Sequence, residues 1–335
     1  MTRRTMLAIG DSYLPVAQMA EHLDGWDGDV EYRSVTVVDG PPIERIREHQ
    51  GDPAQISDWL GATPILLVHA AAVPAMIFEQ HPTLEVVACA RGNPVNVDLA
   101  AAHEHGVTVL HTPAKNAVAV ADLTMASTLL LLRRAVPAAR WLTDRAASGE
   151  RHLDSTFAGG AWMATEPRGL TIGIIGFGAV GRAVAEQAER YGMRVLAFDP
   201  FQSGDDRLVE LDELVATSDV VSIHAPAVDE TRHLVNRDLL AAMRRGAHLI
   251  NTARESLLDE AAVLDALNDG HLAGAALDVC EPTGRWPELA AHPNVLVTPH
   301  IGGATRQTQD RAMSMLLDDL ARIELGEPPL RVKRP

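Results

Sequence analysis

A glycine-rich segment stands between a short apolar run and an amphipathic stretch of helical periodicity. Its first glycine allows a tight turn, its second lets the backbone approach a pyrophosphate closely, and its third lets the helix pack closely on the strand. The first N–H groups of the helix would then face the phosphates. The spacing predicts a dinucleotide site, with an ordinary glycine-rich turn as the alternative. The segment consists of Gly176, Phe177, Gly178, Ala179, Val180 and Gly181.

A carboxylate follows this segment at the end of the next apolar run, eighteen residues beyond Gly181. There Asp199 can accept hydrogen bonds from both ribose hydroxyls and would repel a 2′-phosphate, so the pattern favours NAD over NADP. Asp199 and Pro200 are also common turn residues, and a turn alone would not choose between the two cofactors.

Short apolar runs and helical patterns alternate around these residues. Strands are predicted over 171–175 and 194–198, with a helix over 179–191 between them. This alternation predicts a parallel sheet covered by helices on both faces. Further strands are predicted over 219–223, 248–251, 273–277 and 295–297.

The first part of the chain alternates in the same way, with strands predicted over 6–9, 65–68, 85–88 and 107–110 and a helix over 98–104. An apolar helical pattern over 116–134 is predicted to carry the chain into a second domain, and a pattern over 304–325 to return to the first. The segment 148–168 is irregular, which is typical of a projecting loop. We therefore expect an α/β protein with two doubly wound parallel-sheet domains.

Composition limits the functional classes. The 335 residues exceed what one core usually holds, which favours two domains. Hydrophobic residues make up 47% and charged residues 22%, as in a globular protein. The net charge of −16, with no basic block, argues against nucleic acid as a partner. An anionic substrate would have to be bound by a few local cations.

Neither a disulfide framework nor a metal site is indicated. The two cysteines, Cys89 and Cys280, are far apart and lack metal-binding spacing, which fits a reducing cytoplasm. The histidines His103 and His105 would point apart on a helix. The apolar stretch within the first ten residues is too short for a signal peptide, and no run approaches the ~20 residues of a membrane span.

Further motifs stand in order along the chain, and with the glycine-rich segment they are 91–98, 176–181, 222–226, 251–254, 276–279 and 298–303. Together these motifs resemble those of the D-isomer-specific 2-hydroxyacid dehydrogenases. This resemblance covers most of the chain, and it implies a flavodoxin-like substrate domain beside a Rossmann NAD-binding domain. It also implies a hydride transfer between NAD(H) and C2 of a small 2-hydroxy or 2-keto acid.

Such a reaction needs a partner for the substrate carboxylate and a proton donor and acceptor at the C2 oxygen. Arginine supplies two parallel donors to a carboxylate, and Arg254 of the 251–254 motif is the candidate. Histidine can exchange a proton near neutral pH, and His300 is the candidate. The alternatives are a surface arginine in an ion pair and a structural histidine.

A carboxylate beside the histidine would raise its pKa and hold its ring. The family places a glutamate five residues after the motif aspartate, and the residue at that position is Thr283. A Glu-Pro pair stands two residues earlier, so the role is carried over to Glu281. If Glu281 is only a loop residue, the histidine lacks this partner.

The resemblance implies further cofactor and substrate contacts. Backbone N–H groups near Gly92 and Asn93 resemble the family's second carboxylate-binding loop. His69 stands where phosphoglycerate dehydrogenases usually carry an arginine, which argues against a phosphorylated substrate, although Arg91 could substitute. The predicted cofactor contacts beyond the glycine loop are Asp199, Pro200, His224, Ala225, Pro226, Thr231, Thr252, Ala253, Asp278, Gly302 and Gly303.

The domains are predicted as 1–115, completed by 304–335, for the substrate and 116–303 for NAD, with catalysis in the cleft between them. The resemblance implies a homodimer formed through the long helix and the 148–168 loop. Two other functions stay open: an NAD-sensing module like the C-terminal-binding-protein corepressors, which resemble this family, and a D-3-phosphoglycerate dehydrogenase. Fold alone cannot choose among them.

Overall fold

The computed structural model describes residues 4–36, 42–153 and 157–335. The chain divides into two compact units, and the first is discontinuous: it contains Met1–Lys115 and Thr305–Pro335. The second unit is the continuous segment Asn116–Ala304. The sequence predicted a second domain over 116–303. Its predicted start coincides with the start of the second unit, and its predicted end lies one residue before Ala304.

The first unit is built on a five-stranded parallel sheet with the strand order β2-β1-β3-β4-β5. Its inner strands β3 and β4 are buried on both faces, which explains their continuous apolar sequences. The strands are β1 (Arg4–Gly10), β2 (Gly28–Ser34), β3 (Ile65–Val68), β4 (Val86–Cys89) and β5 (Thr108–Leu110).

Helices cover this sheet on both faces and divide its core in two. One core cluster joins Leu7 and Ile9 of β1 to Ile56 and Ile77. The other joins the opposite face of β1 to the last helix of the chain. The helices of this unit are α1 (Val16–Leu23), α2 (Pro53–Leu60), α3 (Ala75–Gln80), α4 (Leu99–Glu104) and α12 (Arg306–Glu324).

The second unit contains a six-stranded parallel sheet with the strand order β11-β10-β9-β8-β6-β7. The chain starts in β6, passes outward to β7 and then returns to the other side of β6. The strands are β6 (Thr171–Ile175), β7 (Arg194–Phe198), β8 (Val220–Ile223), β9 (Ala247–Asn251), β10 (Leu272–Leu277) and β11 (Val295–Val297).

Helices flank this sheet as well. Helix α7 follows the glycine-rich segment and buries Gly181, Val184 and Ala188 against the sheet, as its amphipathic sequence predicts. The helices of this unit are α5 (Ala117–Leu132), α6 (Ala135–Ala147), α7 (Ala179–Arg190), α8 (Leu211–Thr217), α9 (Arg237–Ala242), α10 (Glu260–Asn268) and α11 (Trp286–Ala291).

The α/β class with two parallel sheets is therefore confirmed, but the structure differs from the prediction between residues 132 and 162. The long helix ends at Leu132, and α6 begins after Arg134, whose φ of 50° breaks the helix. The segment predicted as a loop over 148–168 contains a single-turn helix at Ala158–Trp162, and its residues 154–156 lie outside the described residues. Among the described residues, no helix has the length and apolar character needed to cross a membrane.

Candidate active site

The predicted site residues of the second unit follow one strand each. Because the strands are parallel, these residues collect at one edge of the sheet, where ligands bind in open α/β folds. The strand order reverses between β6 and β8, so the topological switch point lies at the glycine-rich loop. The residues after β6 to β11 are, in chain order, Gly176, Asp199, His224, Arg254, Asp278 and His300.

Each glycine of the loop has its own steric reason. Gly176 has a φ of +94°, and a Cβ there would lie 2.5 Å from the backbone of His224 and of Ala225. A Cβ on Gly181 would lie 2.2 Å from the carbonyl oxygen of Gly176. A Cβ on Gly178 would meet nothing within 4 Å. The protein itself therefore requires Gly176 and Gly181, whereas Gly178 leaves open space beside the start of α7.

The loop offers unused donors to that space. No side chain caps α7, and the N–H groups of Gly178, Ala179 and Val180 donate to no acceptor in the part of the chain that the structure describes. Asp199 accepts bonds from the N–H groups of Phe177 (2.9 Å) and Phe201 (3.0 Å). Each carboxylate oxygen keeps a further lone pair, so Asp199 can still accept a bond from a ribose hydroxyl.

The wall beside the glycine loop is formed by the segment after β8. Nε2 of His224 is hydrogen-bonded to the Ser222 hydroxyl at 2.8 Å, and the tautomer of the ring decides which of the two donates. Burial lowers the pKa of His224 to about 4, so the ring is uncharged at neutral pH. Pro226 and Thr231 belong to the same segment, but the Thr231 hydroxyl bonds the carbonyl of Pro226 at 2.7 Å and is used within the loop.

Arg254 sits on a turn that Asn251 holds. The Asn251 amide accepts from the N–H of Ala253 at 3.0 Å and donates to the carbonyl of Arg254 at 2.8 Å. Below the turn, the hydroxyl of Thr252 lies 3.1 Å from that of Thr124. The guanidinium of Arg254 is exposed and donates to the carbonyl of Ala253, so its remaining donors are available to a ligand.

Asp278 shapes the loop that carries His300. Its carboxylate is buried and accepts three bonds, from the Thr298 hydroxyl (2.6 Å), the Ile301 N–H (2.8 Å) and the Gly302 N–H (2.7 Å). The N–H of His300 donates to the carbonyl of Asp278 at 2.9 Å. The prediction placed Asp278 beside the cofactor, but most of its hydrogen-bonding capacity is spent on the loop itself.

This loop holds His300 in an unusual conformation. Its φ is 57°, in the left-handed region that side chains other than glycine rarely adopt. The imidazole is exposed, and no hydrogen bond to it is present among the described residues. A Cβ on Gly302 would lie 2.9 Å from the Asp278 carboxylate, and one on Gly303 would lie 3.2 Å from Asn116, so both glycines allow the chain to pass closely.

The carboxylate predicted to pair with His300 is not bonded to it. In the described part of the chain the side chain of Glu281 makes no hydrogen bond to His300. A second glutamate, the buried Glu260, organises this loop by accepting from the N–H groups of Glu281 (2.8 Å) and Arg285 (2.6 Å). Burial, with the charges of Glu260, Glu255 and Asp278, raises the pKa of the Cys280 thiol to about 11.

The predicted substrate residues lie at the carboxyl edge of the first sheet. His69 follows β3 and Arg91 follows β4 by one further residue. The N–H groups of Gly92 and Asn93 donate to no acceptor among the described residues, which leaves them free for an anion. Arg91 is not a free cation, because its guanidinium bonds both the carbonyl and the carboxylate of Glu48.

Sequence reasoning missed three residues that position the others: Asn251, Glu260 and Asp11. Asn251 stands within a quoted motif, and an amide directly before a turn was a usable signal. Glu260 and Asp11 act on partners 21 and 59 residues away, and no local pattern reveals such pairs. No group of three or more His, Cys, Asp or Glu side chains suited to a metal ion occurs among the described residues.

Comparison with known proteins gives a family for this arrangement. Residues 125–302, more than half of the chain, match the model described as D-isomer specific 2-hydroxyacid dehydrogenase, NAD binding domain. The chain belongs to this family. The predicted family and the NAD cofactor are thereby confirmed, and NAD-dependent oxidoreductase activity on a 2-hydroxy or 2-keto acid is confirmed at the level of the family.

Similar proteins carry several different names. The chain is 33% identical over 290 residues to D-3-phosphoglycerate dehydrogenase of Bacillus subtilis, covering 83% of this chain and 53% of that protein, so it spans about half the length of that relative. It is 34% identical over 280 residues to glycerate dehydrogenase of Methylorubrum extorquens, covering 82% and 87%. The structure of the TT0316 protein of Thermus thermophilus aligns with a TM-score of 0.77 at 32% identity, covering 98% and 99%.

The residues present fit NAD. The open space at Gly178, the free N–H groups at the start of α7 and the carboxylate of Asp199 match the pyrophosphate and the ribose that this dehydrogenase family binds. The neutral His224 and the close contact between Gly176 and Ala225 form the adjoining wall.

Proposed function

We propose that this protein reduces a small 2-keto acid with NADH, or oxidises the matching D-2-hydroxy acid with NAD, and that Arg254 and His300 carry the chemistry. In this proposal the first unit binds substrate and the second unit binds NAD. The observation that carries it is the loop after β11, in which three bonds to the buried Asp278 hold an exposed histidine in a left-handed conformation.

The substrate carboxylate is the first group to be bound. Arg254 is exposed at the end of β9 and keeps donors that no described residue uses, which supports a paired contact with two carboxylate oxygens. The free N–H groups of Gly92 and Asn93 are proposed as a second set of donors to the same kind of group. Fixing the carboxylate fixes the neighbouring C2 atom.

The proton at the C2 oxygen is assigned to His300. A nicotinamide cofactor held at the glycine-rich loop would supply or accept the hydride at C2. In the reducing direction the protonated imidazole donates to the C2 oxygen, and in the oxidising direction the neutral imidazole takes that proton back. A cation beside the oxygen also stabilises the negative charge that develops there during reduction.

Glu281 is proposed as the carboxylate that orients His300 when substrate is bound. Its side chain is half-buried, and its N–H donates to the carboxylate of Glu260, which fixes the position of Glu281 in the loop. Catalytic hydrogen bonds are often absent before a ligand binds, and a missing bond alone does not exclude the pair. Glu281→Gln should lower kcat and shift the pH optimum if this role holds, and an unchanged pH profile would assign Glu281 to the loop alone.

Turnover is the direct test. NADH and NADPH consumption should be measured with glyoxylate, hydroxypyruvate, pyruvate, 2-ketoisocaproate and phosphohydroxypyruvate, for the wild type and for Arg254→Ala. We expect turnover with NADH that Arg254→Ala removes. His103→Ala, an exposed histidine on α4, is the matched control. Tight NADH binding without turnover of any acid would favour the NAD-sensing function instead.

We also propose a homodimer formed through α6 and the segment after it. Helix α6 buries none of its residues, and Leu142, Leu153 and Met163 are exposed on or after it. The rings of Trp141 and Trp162 pack at 5.8 Å beside them. Such an apolar surface is typical of an interface, and C2 dimers are the commonest assembly.

Light scattering tests the assembly. Leu142→Glu should convert a dimer into a monomer, whereas Leu325→Glu, at an exposed leucine of the first unit, should not. A wild-type monomer would contradict the proposal.

Both cysteines are free thiols, which supports a reducing compartment such as the cytoplasm.

A further inference from the structure

The carboxyl edge of the first sheet holds a histidine whose hydrogen-bonding role is set by a buried aspartate. Nδ1 of His69 lies 3.0 and 3.2 Å from the two carboxylate oxygens of Asp11. The same carboxylate accepts bonds from the N–H groups of Tyr13 (2.8 Å), Leu14 (3.0 Å) and Ala70 (2.8 Å). A carboxylate surrounded by donors is ionised, so the proton of this pair resides on Nδ1.

The other ring nitrogen is thereby left as an acceptor. With the hydrogen on Nδ1, a neutral His69 presents a lone pair at Nε2. No described residue is hydrogen-bonded to Nε2. Because Nε2 is not among the fully buried side-chain atoms without a partner, it is at least partly accessible. Burial lowers the pKa of His69, the bond to Asp11 raises it, and the nearby Lys115 and Arg91 lower it again, with a lowered pKa as the net result. The ring is therefore uncharged at neutral pH.

Neither cation near His69 is presented to a ligand. The Arg91 guanidinium is neutralised by Glu48. The ammonium of Lys115 is buried and donates to the carbonyl of Ala90 at 2.5 Å and to the Gln309 side chain at 2.8 Å. A phosphate at this edge would therefore meet a neutral acceptor, a guanidinium already paired with Glu48 and a buried ammonium whose hydrogen bonds go to Ala90 and Gln309.

His69 also lies beside the proposed carboxylate donors. Strands β3 and β4 are neighbours, with Val68 opposite Cys89, and the N–H of Ala90 donates to the carbonyl of Val68 at 2.7 Å. His69 thus stands about 5 Å, one strand spacing, from the residue that leads into Arg91, Gly92 and Asn93. A small acid held by those N–H groups would bring its third carbon toward the imidazole.

We infer that His69, oriented by Asp11, accepts a hydrogen bond from a hydroxyl group on C3 of the substrate, so that the preferred substrates are 3-hydroxy-2-keto acids or the 2,3-dihydroxy acids that they yield. This inference rests on the proposed function and specifies its substrate class. Acids with a methyl group at C3 leave Nε2 unpaired, and acids with a phosphate at C3 supply no donor.

Hydroxypyruvate and pyruvate are the direct probes, because they differ only in the C3 hydroxyl. We expect the wild type to favour hydroxypyruvate in kcat/KM by about 10-fold or more over pyruvate, and over phosphohydroxypyruvate as well. His69→Leu should bring the ratio of hydroxypyruvate to pyruvate close to 1. His69→Gln, whose amide oxygen can still accept, should restore part of the ratio, and the exposed His103→Leu should leave it unchanged.

The outcomes separate the two proposals. A wild-type ratio near 1, a preference for the phosphorylated acid, or an undiminished ratio in His69→Leu would overturn the role of His69 and leave the dehydrogenase proposal standing. No turnover of any 2-keto acid by the wild type would overturn the dehydrogenase proposal itself. Because both acids use Arg254 and His300, a general loss of activity in a poorly folded variant cancels from the ratio.

Discussion

The two sheets build their carboxyl edges by different means. In the second unit, the glycine loop, the Arg254 turn and the His300 loop are held by backbone groups bonded to Asp199, Asn251 and Asp278. In the first unit, Asp11 also holds backbone N–H groups, but the polar side chains at the edge are in addition paired with one another, His69 with Asp11 and Arg91 with Glu48.

This difference matches the two tasks that we assign to the edges. The family is described by its NAD-binding domain, and a site for a common cofactor can be fixed in backbone conformation. A substrate varies, and its recognition can change by exchanging single side chains on an unchanged backbone. We call the carboxyl edges of the first and second sheets the first and second edge. The predictions below test whether residues of the second edge determine catalysis and cofactor binding, and whether residues of the first edge determine substrate selectivity.

The largest effect is expected at the histidine of the second edge. His300→Ala removes the proposed proton donor, and general acid–base catalysis contributes roughly a hundredfold to ten-thousandfold. We expect kcat/KM to fall about a thousandfold for every 2-keto acid that is turned over, with no change in the order of preference. NADH binding, measured by fluorescence, should persist. A changed order of preference would place selectivity in the second edge and contradict the comparison.

A smaller loss is expected when the support of that loop is weakened. Asp278→Asn replaces one carboxylate oxygen with an NH₂ group that cannot accept, so either the bonds from Thr298 and Ile301 or the bond from Gly302 is lost. The misplaced His300 should lower kcat by about a hundredfold, since displacements near 1 Å have effects of that size. If Asp278 acts instead mainly on the cofactor, the Kd for NADH will rise and kcat at saturation will stay close to that of the wild type.

Acid should destabilise the protein through a histidine behind the second edge. The folded-state pKa of His224, about 4, lies below its unfolded value near 6.5, so the unfolded chain binds the proton more readily between these values. Stability from this residue is complete above about pH 6.5 and declines toward pH 4, with about 2 kcal/mol lost by pH 5. His224→Gln should flatten the fall in Tm between pH 7 and 5, and His103→Gln should not.

The smallest effect is expected at the ion pair of the first edge. Glu48→Gln removes the carboxylate that neutralises Arg91, so the guanidinium becomes available to an anion. We expect kcat/KM for phosphohydroxypyruvate to rise about 3-fold relative to hydroxypyruvate, in keeping with the modest strength of exposed ion pairs. Kinetics at low and high salt check the cause, because a charge effect should weaken as salt screens it. A fall in that ratio would contradict our account of Arg91.

The sequence was informative where a residue's environment is local. Glycine spacing and apolar runs predicted β6, α7 and β7, because each is stabilised by near neighbours and buried strands have continuous apolar sequences. Strand β2 was missed because it is an edge strand with alternating exposure, and α6 because it buries none of its residues. Both lack the apolar pattern on which such predictions depend.

The same distinction applies to the site. Arg254 and His300 stand within motifs, and the structure brings the turn and the loop that carry them to one sheet edge. The pairing of His69 with Asp11 joins residues 58 positions apart, and only the fold brings them together. The predicted contact between Glu281 and His300 stays a prediction, since it depends on side-chain positions that spacing does not determine.

The discontinuous first unit affects the order in which the protein is completed during translation. Helix α12 supplies Ala312, Met313, Leu316 and Leu320 to the core that lies against β1. The face of β1 that packs against α12 therefore stays uncovered until α12 has been synthesised. The continuous second unit has all its residues earlier and can fold first. Once Ala304 has left the ribosome and α12 has not, the nascent chain would hold a complete cofactor unit and an unfinished substrate unit with an apolar face open to chaperones.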